Sequence, residues 1–161
     1  MIRRHFEDLD RYSFLILYRG FVRPHLEYCV QAWSPHLRKD IDLMEKVQRR
    51  ATKMVRGLKQ LSYQRRLKVL GLQTLEQRRI RGDMIEVFKI LTGREAVDPA
   101  TYFVVAERKA VTRGHKYKLF KPRCRSVLRS SFFSQRVVDG WNGLPVEAVE
   151  APSICSFKKR Y

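Results

Sequence analysis

Acidic residues are missing from two long stretches of this chain. None occurs from Lys46 to Leu75, where there are nine Lys and Arg, and none from Arg108 to Val138, where there are ten. The whole chain has 34 basic and 16 acidic residues, a formal charge of +18. Cysteine is also scarce. Cys29, Cys124 and Cys155 lie far apart, form no CxxC pair and cannot all be bridged within one chain. This excludes a disulfide scaffold and fits a reducing, intracellular compartment, nucleus and/or cytoplasm. Long apolar runs are absent too: the longest near the start, Phe14 to Tyr18, is interrupted by Arg19, so no transmembrane segment is expected. The N-terminus, Met1-Ile2-Arg3-Arg4-His5-Phe6, lacks the continuous apolar region and small-residue cleavage site of a signal peptide. There is no Gly-rich phosphate loop, no GxSxG, no paired-carboxylate signature and no pair of adjacent Asp residues. Those absences leave no catalytic residue to name and no small-molecule ligand to expect.

What is present is charge of one sign on a foldable chain. A hydrophobic content of 44% with 11% aromatics separates it from a disordered tail. Concentrated positive charge destabilises a compact state through self-repulsion. Offered to a polyanion, it releases counterions and supplies affinity, which makes nucleic acid, RNA and/or DNA, the expected partner. An anionic membrane surface is the lesser alternative.

Helical signals dominate the first ninety or so residues. Helices are predicted over Asp10 to Gly20 and Pro24 to Trp33, with a break or kink at Arg23-Pro24. A third runs from Lys39 to Arg56, stopped by Gly57. Ser62 caps a short helix ending at Leu70 and Gly71, and Thr74 with Gln77 forms a capping box that opens a helix to Thr92, stopped by Gly93. Beyond Asp98-Pro99, Tyr102 to Ala106 and Lys116 to Cys124 lean towards strand. Ser130 to Trp141 is helical again, and Pro152-Ser153 starts a last helix. The domain reading is a helical region over 1–93, a linker over 94–113 and a small mixed module over 114–161.

Advancing each residue of the third helix by roughly 100° gathers Met44, Val47, Ala51, Met54, Val55 and Leu58 on one face. Lys39, Lys46, Arg49, Arg50, Lys53 and Arg56 gather nearly opposite, a row of cations able to follow a phosphate backbone. Asp42 and Glu45 suit the positive N-terminal end of the helix dipole. In Thr74 to Thr92, Ile80, Met84, Val87, Phe88 and Leu91 form the core stripe, and Arg79 with Asp83 is an i,i+4 pair. The second acid-free run interleaves Arg113, Lys116, Lys118, Lys121, Arg123 and Arg125 with Tyr117 and Phe120. The cations suit phosphates. The aromatics either stack on unpaired bases or, as is usual in so small a module, fill the core. The nucleic-acid-binding set is therefore Lys46, Arg49, Arg50, Lys53, Arg56, Arg113, Lys116, Lys118, Lys121, Arg123 and Arg125. His25 and Cys29 share a predicted helix face, but no second pair completes a metal site, so no metal is expected.

Several strings carry a resemblance. Leu17-Tyr18-Arg19-Gly20-Phe21-Val22-Arg23-Pro24-His25-Leu26-Glu27-Tyr28-Cys29 resembles the block "LY..LVRPHLEYC" downstream of the reverse transcriptase palm in jockey-type and chicken-repeat-type non-LTR (LINE-like) retrotransposons. Val47 to Val55 is similar to that family's "VQRRATK" helix. Tyr63, Arg65-Arg66-Leu67 and Leu70-Gly71-Leu72 resemble "SY..RL..LGL", and Gln77 to Met84 resembles "RR.RGD". Trp141-Asn142-Gly143-Leu144-Pro145 with Pro152-Ser153 and Phe157-Lys158 resembles "WN.LP…PS…FK". The five blocks occur in family order along essentially the whole chain.

The resemblance implies a mainly α fold, a helical thumb-like bundle followed by a small α+β C-terminal module. It implies a nucleic-acid-binding part of an RNA-directed DNA polymerase that grips template-primer or element RNA. The palm's Asp-Asp box, which holds the paired Mg²⁺ ions of nucleotide transfer, has no counterpart here, so Mg²⁺ is expected only with a palm and no polymerisation from these residues alone. Beside this stand an active polymerase completed by a palm encoded upstream or on another chain, a basic protein-interaction module, and a genomic remnant without function.

Overall fold

The computed structural model describes residues 9–106 and 114–161. The described residues are mainly helical. Their contacts cluster into two units, one holding the residues up to Cys29 with Pro35–Arg79, the other Val30–Ser34 with Ile80–Tyr161.

In the first unit, α1 (Arg11–Leu17) starts where the Asp10 carboxylate accepts the Tyr12 and Ser13 amides at 2.7 and 3.0 Å. The predicted break before Pro24 is instead a change of helix type. A π-turn, Tyr18–Val22, leads directly into α2 (Arg23–Glu27), with the Arg23 amide donating to the Tyr18 carbonyl. Pro24 sits in the first turn of α2, where a missing N–H breaks no ladder. The helix expected to reach Trp33 stops at Glu27, because Tyr28 is extended and Cys29 takes a positive φ of 52°.

Helix α3 (Arg38–Thr52) ends four residues earlier than expected, in turns that run to Leu61. Helix α4 (Tyr63–Leu70) begins at the Ser62 cap and ends at Gly71, whose φ of 62° admits glycine without strain. Helix α5 (Leu75–Leu91) opens on the predicted box: the Thr74 amide donates to Gln77 Oε1 at 3.2 Å and the Gln77 amide to Thr74 Oγ1 at 3.1 Å. Its first residues belong to the first unit and the rest to the second. A small apolar cluster of Leu9, Phe14, Tyr18, Val55, Leu58 and Leu70 serves the first unit, with Leu9 and Val55 joined by a parallel bridge.

The second unit contains the remainder of α5, a 3₁₀ turn (Pro99–Thr101), α6 (Val127–Ser130), α7 (Phe133–Asn142), α8 (Val146–Val149) and α9 (Ile154–Arg160). The helix predicted over Ser130 to Trp141 is α7, which starts three residues later, at Phe133, after the separate short helix α6. The two strand-leaning segments meet in one antiparallel bridge, Val105 to Leu119. Met84, Val87, Phe88, Val137, Val138, Trp141 and Phe157 form the centre of a larger core, in which Phe88 stacks on Phe157 at 4.5 Å between centroids. Ile80, expected in the core stripe of α5, is 52% exposed.

Candidate nucleic-acid interface

The buried side of α3 differs from the apolar one predicted. Val47 is exposed, Met44 and Ala51 are half-buried, and the fully buried helix positions are Glu45, Gln48 and Thr52. The buried face is rotated by about 90° from the apolar stripe. Hydrogen bonds explain how polar groups can occupy it. Gln48 Nε2 donates to Tyr63 Oη at 2.8 Å and to the Gln73 carbonyl at 3.0 Å, while its Oε1 accepts from Tyr18 Oη. Tyr63 Oη in turn donates to Glu45, whose other oxygen accepts the Leu75 amide at 3.0 Å. That bond satisfies a first-turn amide of α5 and puts negative charge at the positive end of its dipole. Burial, more than any neighbour, raises the Tyr18 and Tyr63 hydroxyls above their ordinary value of 10.0, so both remain protonated donors.

Arg66 is the buried cation of this network. Its Nε donates to Thr52 Oγ1 at 3.0 Å, and its other nitrogens reach the Leu61 carbonyl at 2.5 Å and the Arg49 carbonyl at 3.5 Å. It thereby reaches the Arg49 carbonyl in the last turn of α3, where a cation is favoured, and the Leu61 carbonyl in the turns that follow.

The rotation leaves the predicted cations outside. Lys46, Arg49, Arg50, Lys53 and Arg56 are all exposed, and none forms an ion pair with a carboxylate among the described residues. Lys46, Arg49, Arg50 and Lys53 follow the i, i+3, i+4, i+7 spacing of one helix face. Arg49 is held in place, its guanidinium 4.8 Å from the centre of the Tyr63 ring that Glu45 anchors. Lys39 is exposed at the start of the helix. The sequence reading omitted Lys59, Arg65 and Lys68, which are likewise exposed and without a carboxylate partner among the described residues. Their position in the same acid-free run was the signal that could have included them. Apart from the buried Glu45, the acids of α3, Asp40 and Asp42, lie near its beginning, where Asp42 pairs with Arg38 at 3.1 Å.

The cations at the start of α5 are engaged within the protein. Arg78 grips the Glu27 carboxylate with two nitrogens, one at 2.8 Å, and Arg79 is buried. Arg81 lies over the Tyr161 ring and donates to the Lys158 carbonyl. Asp83 receives Arg136 at 2.9 and 3.0 Å.

In the second unit the predicted set divides. Lys116 faces Glu150 at 3.7 Å and Lys121 contacts Asp139. Lys118 is half-buried, whereas Arg123 and Arg125 are exposed with no carboxylate partner among the described residues. Arg113 lies outside the described residues. The aromatics divide as well: Tyr117 packs against the core, and Phe120 is 56% exposed.

Cys29 leaves the helix that carries His25, and no group of three or more His, Cys, Asp or Glu able to hold an ion occurs among the described residues. Cys29, Cys124 and Cys155 are free thiols. No helix of the described residues is long and apolar enough to cross a membrane. Searches against family models, curated proteins and solved structures find no match for this chain.

Proposed function

We propose that this chain binds nucleic acid as the thumb and C-terminal segment of a non-LTR retrotransposon reverse transcriptase, gripping template-primer or element RNA. The observation that carries the binding reading is a set of five exposed cations with no carboxylate to neutralise them among the described residues: Lys46, Arg49 and Arg50 on α3, Lys53 at its C-terminal cap and Arg56 in the turns beyond. A phosphate backbone supplies the missing counter-charge at the spacing of a helical turn. Support for the family comes from the five ordered sequence blocks, whose residues include the groups the fold uses most: Gln48, Thr52, Tyr63, Arg66 and Trp141. Polymerase chemistry would need carboxylates that this sequence lacks, so the role is to hold the substrate.

Binding to a blunt B-form duplex across a salt series tests the proposal. With about five phosphates contacted, log K falls against log salt with a slope of about −4 to −5, at roughly −0.9 per contact. Replacing Arg49, Arg50 and Lys53 by Ala together flattens the slope by about 3. An unchanged slope in the triple variant, or no binding by the wild type at low salt, overturns it.

A further inference from the structure

The segment around Phe120 is pinned on both edges. On one, the Leu119 amide donates to Asn142 Oδ1 at 2.9 Å and the Leu119 carbonyl accepts from Asn142 Nδ2 at 2.8 Å, so one carboxamide imitates a neighbouring strand. On the other, the Phe120 amide donates to the Val104 carbonyl at 2.7 Å and the Ala106 amide to the Lys118 carbonyl at 2.8 Å. The buried indole of Trp141 donates to the Tyr117 carbonyl at 2.8 Å. Further on, the chain follows α7 in the opposite direction, with Lys121 on Asp139 and Cys124 Sγ 3.3 Å from Gln135 Oε1.

Alternation of side chains along the extended chain at this bridge decides what the segment shows. Leu119 points into the core at 3% exposure, so Phe120 points out at 56%. Val104, opposite Phe120 across the bridge, shares its face and is 60% exposed. A fold with an apolar core a residue away has left an aromatic ring in water and fixed the backbone that carries it. The surroundings say what would cover the ring. No acid occurs in the sequence from Gly114 to Val138, and Arg123 and Arg125 are exposed without a carboxylate partner among the described residues. Lys121, beside the ring, is paired with Asp139, and an apolar face followed along the chain by two cations without such a partner complements a polyanion that carries flat apolar surfaces.

We propose that Phe120, on its Asn142-pinned strand, is a stacking platform for an unpaired base of single-stranded nucleic acid, with Arg123 and Arg125 on the flanking phosphates. This rests on the nucleic-acid reading above and adds a strand preference that the α3 cations do not supply. Bases in a duplex already stack on each other, while a single strand offers its faces to an aromatic side chain.

Anisotropy titrations of the 161-residue chain with short oligothymidylate, oligouridylate and a blunt duplex of equal length test it. Phe120→Ala weakens single-strand binding about five- to hundredfold, the range for one lost base stack, and leaves duplex binding within about twofold. Phe120→Trp keeps single-strand affinity, and its added fluorescence is quenched on binding. Single-strand affinity unchanged in Phe120→Ala, or single-strand and duplex binding weakened equally, overturns the platform while leaving duplex recognition standing. A wild type that binds none of the three probes overturns both proposals. A wild type that binds the duplex with the expected salt slope, yet shows no single-strand response to Phe120→Ala, overturns the platform alone.

Discussion

The unit around α3 keeps Glu45, Gln48, Thr52 and Arg66 away from solvent, whereas the unit around α7 buries Phe88, Val137, Trp141 and Phe157. The surfaces differ in a complementary way. Around α3, Glu45 is consumed inside by Tyr63 and the Leu75 amide and Asp42 is taken by Arg38, so Lys46, Arg49, Arg50, Lys53 and Arg56 have no carboxylate partner among the described residues. Around α7, Asp83 is buried against Arg136, but Glu150 and Asp139 lie outside and meet Lys116 and Lys121. Two runs of similar basic content therefore present different amounts of available charge. Exposed ion pairs hold their partners by about 0–1 kcal/mol, so phosphate can displace Glu150 and Asp139, but it meets no such competitor on α3. On the binding reading proposed above, the first surface would serve backbone charge and the second charge combined with an aromatic face.

The largest effect that can break this contrast is expected in the apolar core. Trp141 is fully buried, lies edge-on to His115 at 5.7 Å and touches Phe157 at 6.2 Å between centroids. Trp141→Ala removes that volume and strands the Tyr117 carbonyl, at a cost of about 3–5 kcal/mol. Amide protection in Phe133–Asn142 measures it, and protection retained at the wild-type level would show that Trp141 is not the hub.

A smaller loss is expected at the polar hub. Gln48→Leu is close in volume but leaves Tyr18 Oη without its acceptor and the Gln73 carbonyl without its donor. Stranded buried groups of this kind cost about 1–3 kcal/mol. Denaturant midpoints of the two variants rank the hubs directly. If Gln48→Leu is neutral, the buried polar groups of α3 are tolerated passengers; if it exceeds Trp141→Ala, the apolar cluster of the second unit is the lesser organiser. Either result would dissolve the comparison.

The legible parts of the fold were those set by neighbours in sequence. The Ser62 cap, the Thr74–Gln77 box, and Gly71 and Gly93 with φ of 62° and 66° are all decided within a few residues, and all stand as read. The rotation of α3 was not legible, because it depends on Tyr18, Tyr63 and Gln73, which are 15 to 30 residues away from Gln48. Apolar periodicity cannot register a face made of satisfied polar groups. The same division runs through the candidate site. Exposure of the α3 cations followed from charge of one sign, which stays solvated. The capture of Lys121 by Asp139, 18 residues on, and the outward setting of Phe120 by Asn142 required the tertiary fold.

The finest distinction between the units is a response to pH at His115. Its Nε2 lies 3.1 Å from the Trp141 carbonyl and donates to it, so the neutral ring carries its proton there. Nδ1 is buried and has no hydrogen-bond partner among the described residues. Protonation would place a second N–H in that position without an acceptor. Burial is accordingly the main reason the imidazole is held below its ordinary value of 6.5; the hydrogen bond to the Trp141 carbonyl opposes it, Lys118 lowers the value further, and Glu150 raises it. The unfolded chain therefore binds the proton at a higher pH than the folded one. Stability contributed by this group is complete above about 6.5, falls as pH drops from there towards the folded value, and is constant again below it. Tyr18 and Tyr63, both raised from 10.0, add no slope in that window. Denaturant midpoints taken between about pH 7.5 and 5 should decline for the wild type and decline less for His115→Gln. Equal slopes in the two proteins would remove His115 as the origin, and a wild-type midpoint that rises on acidification would contradict the buried neutral ring itself.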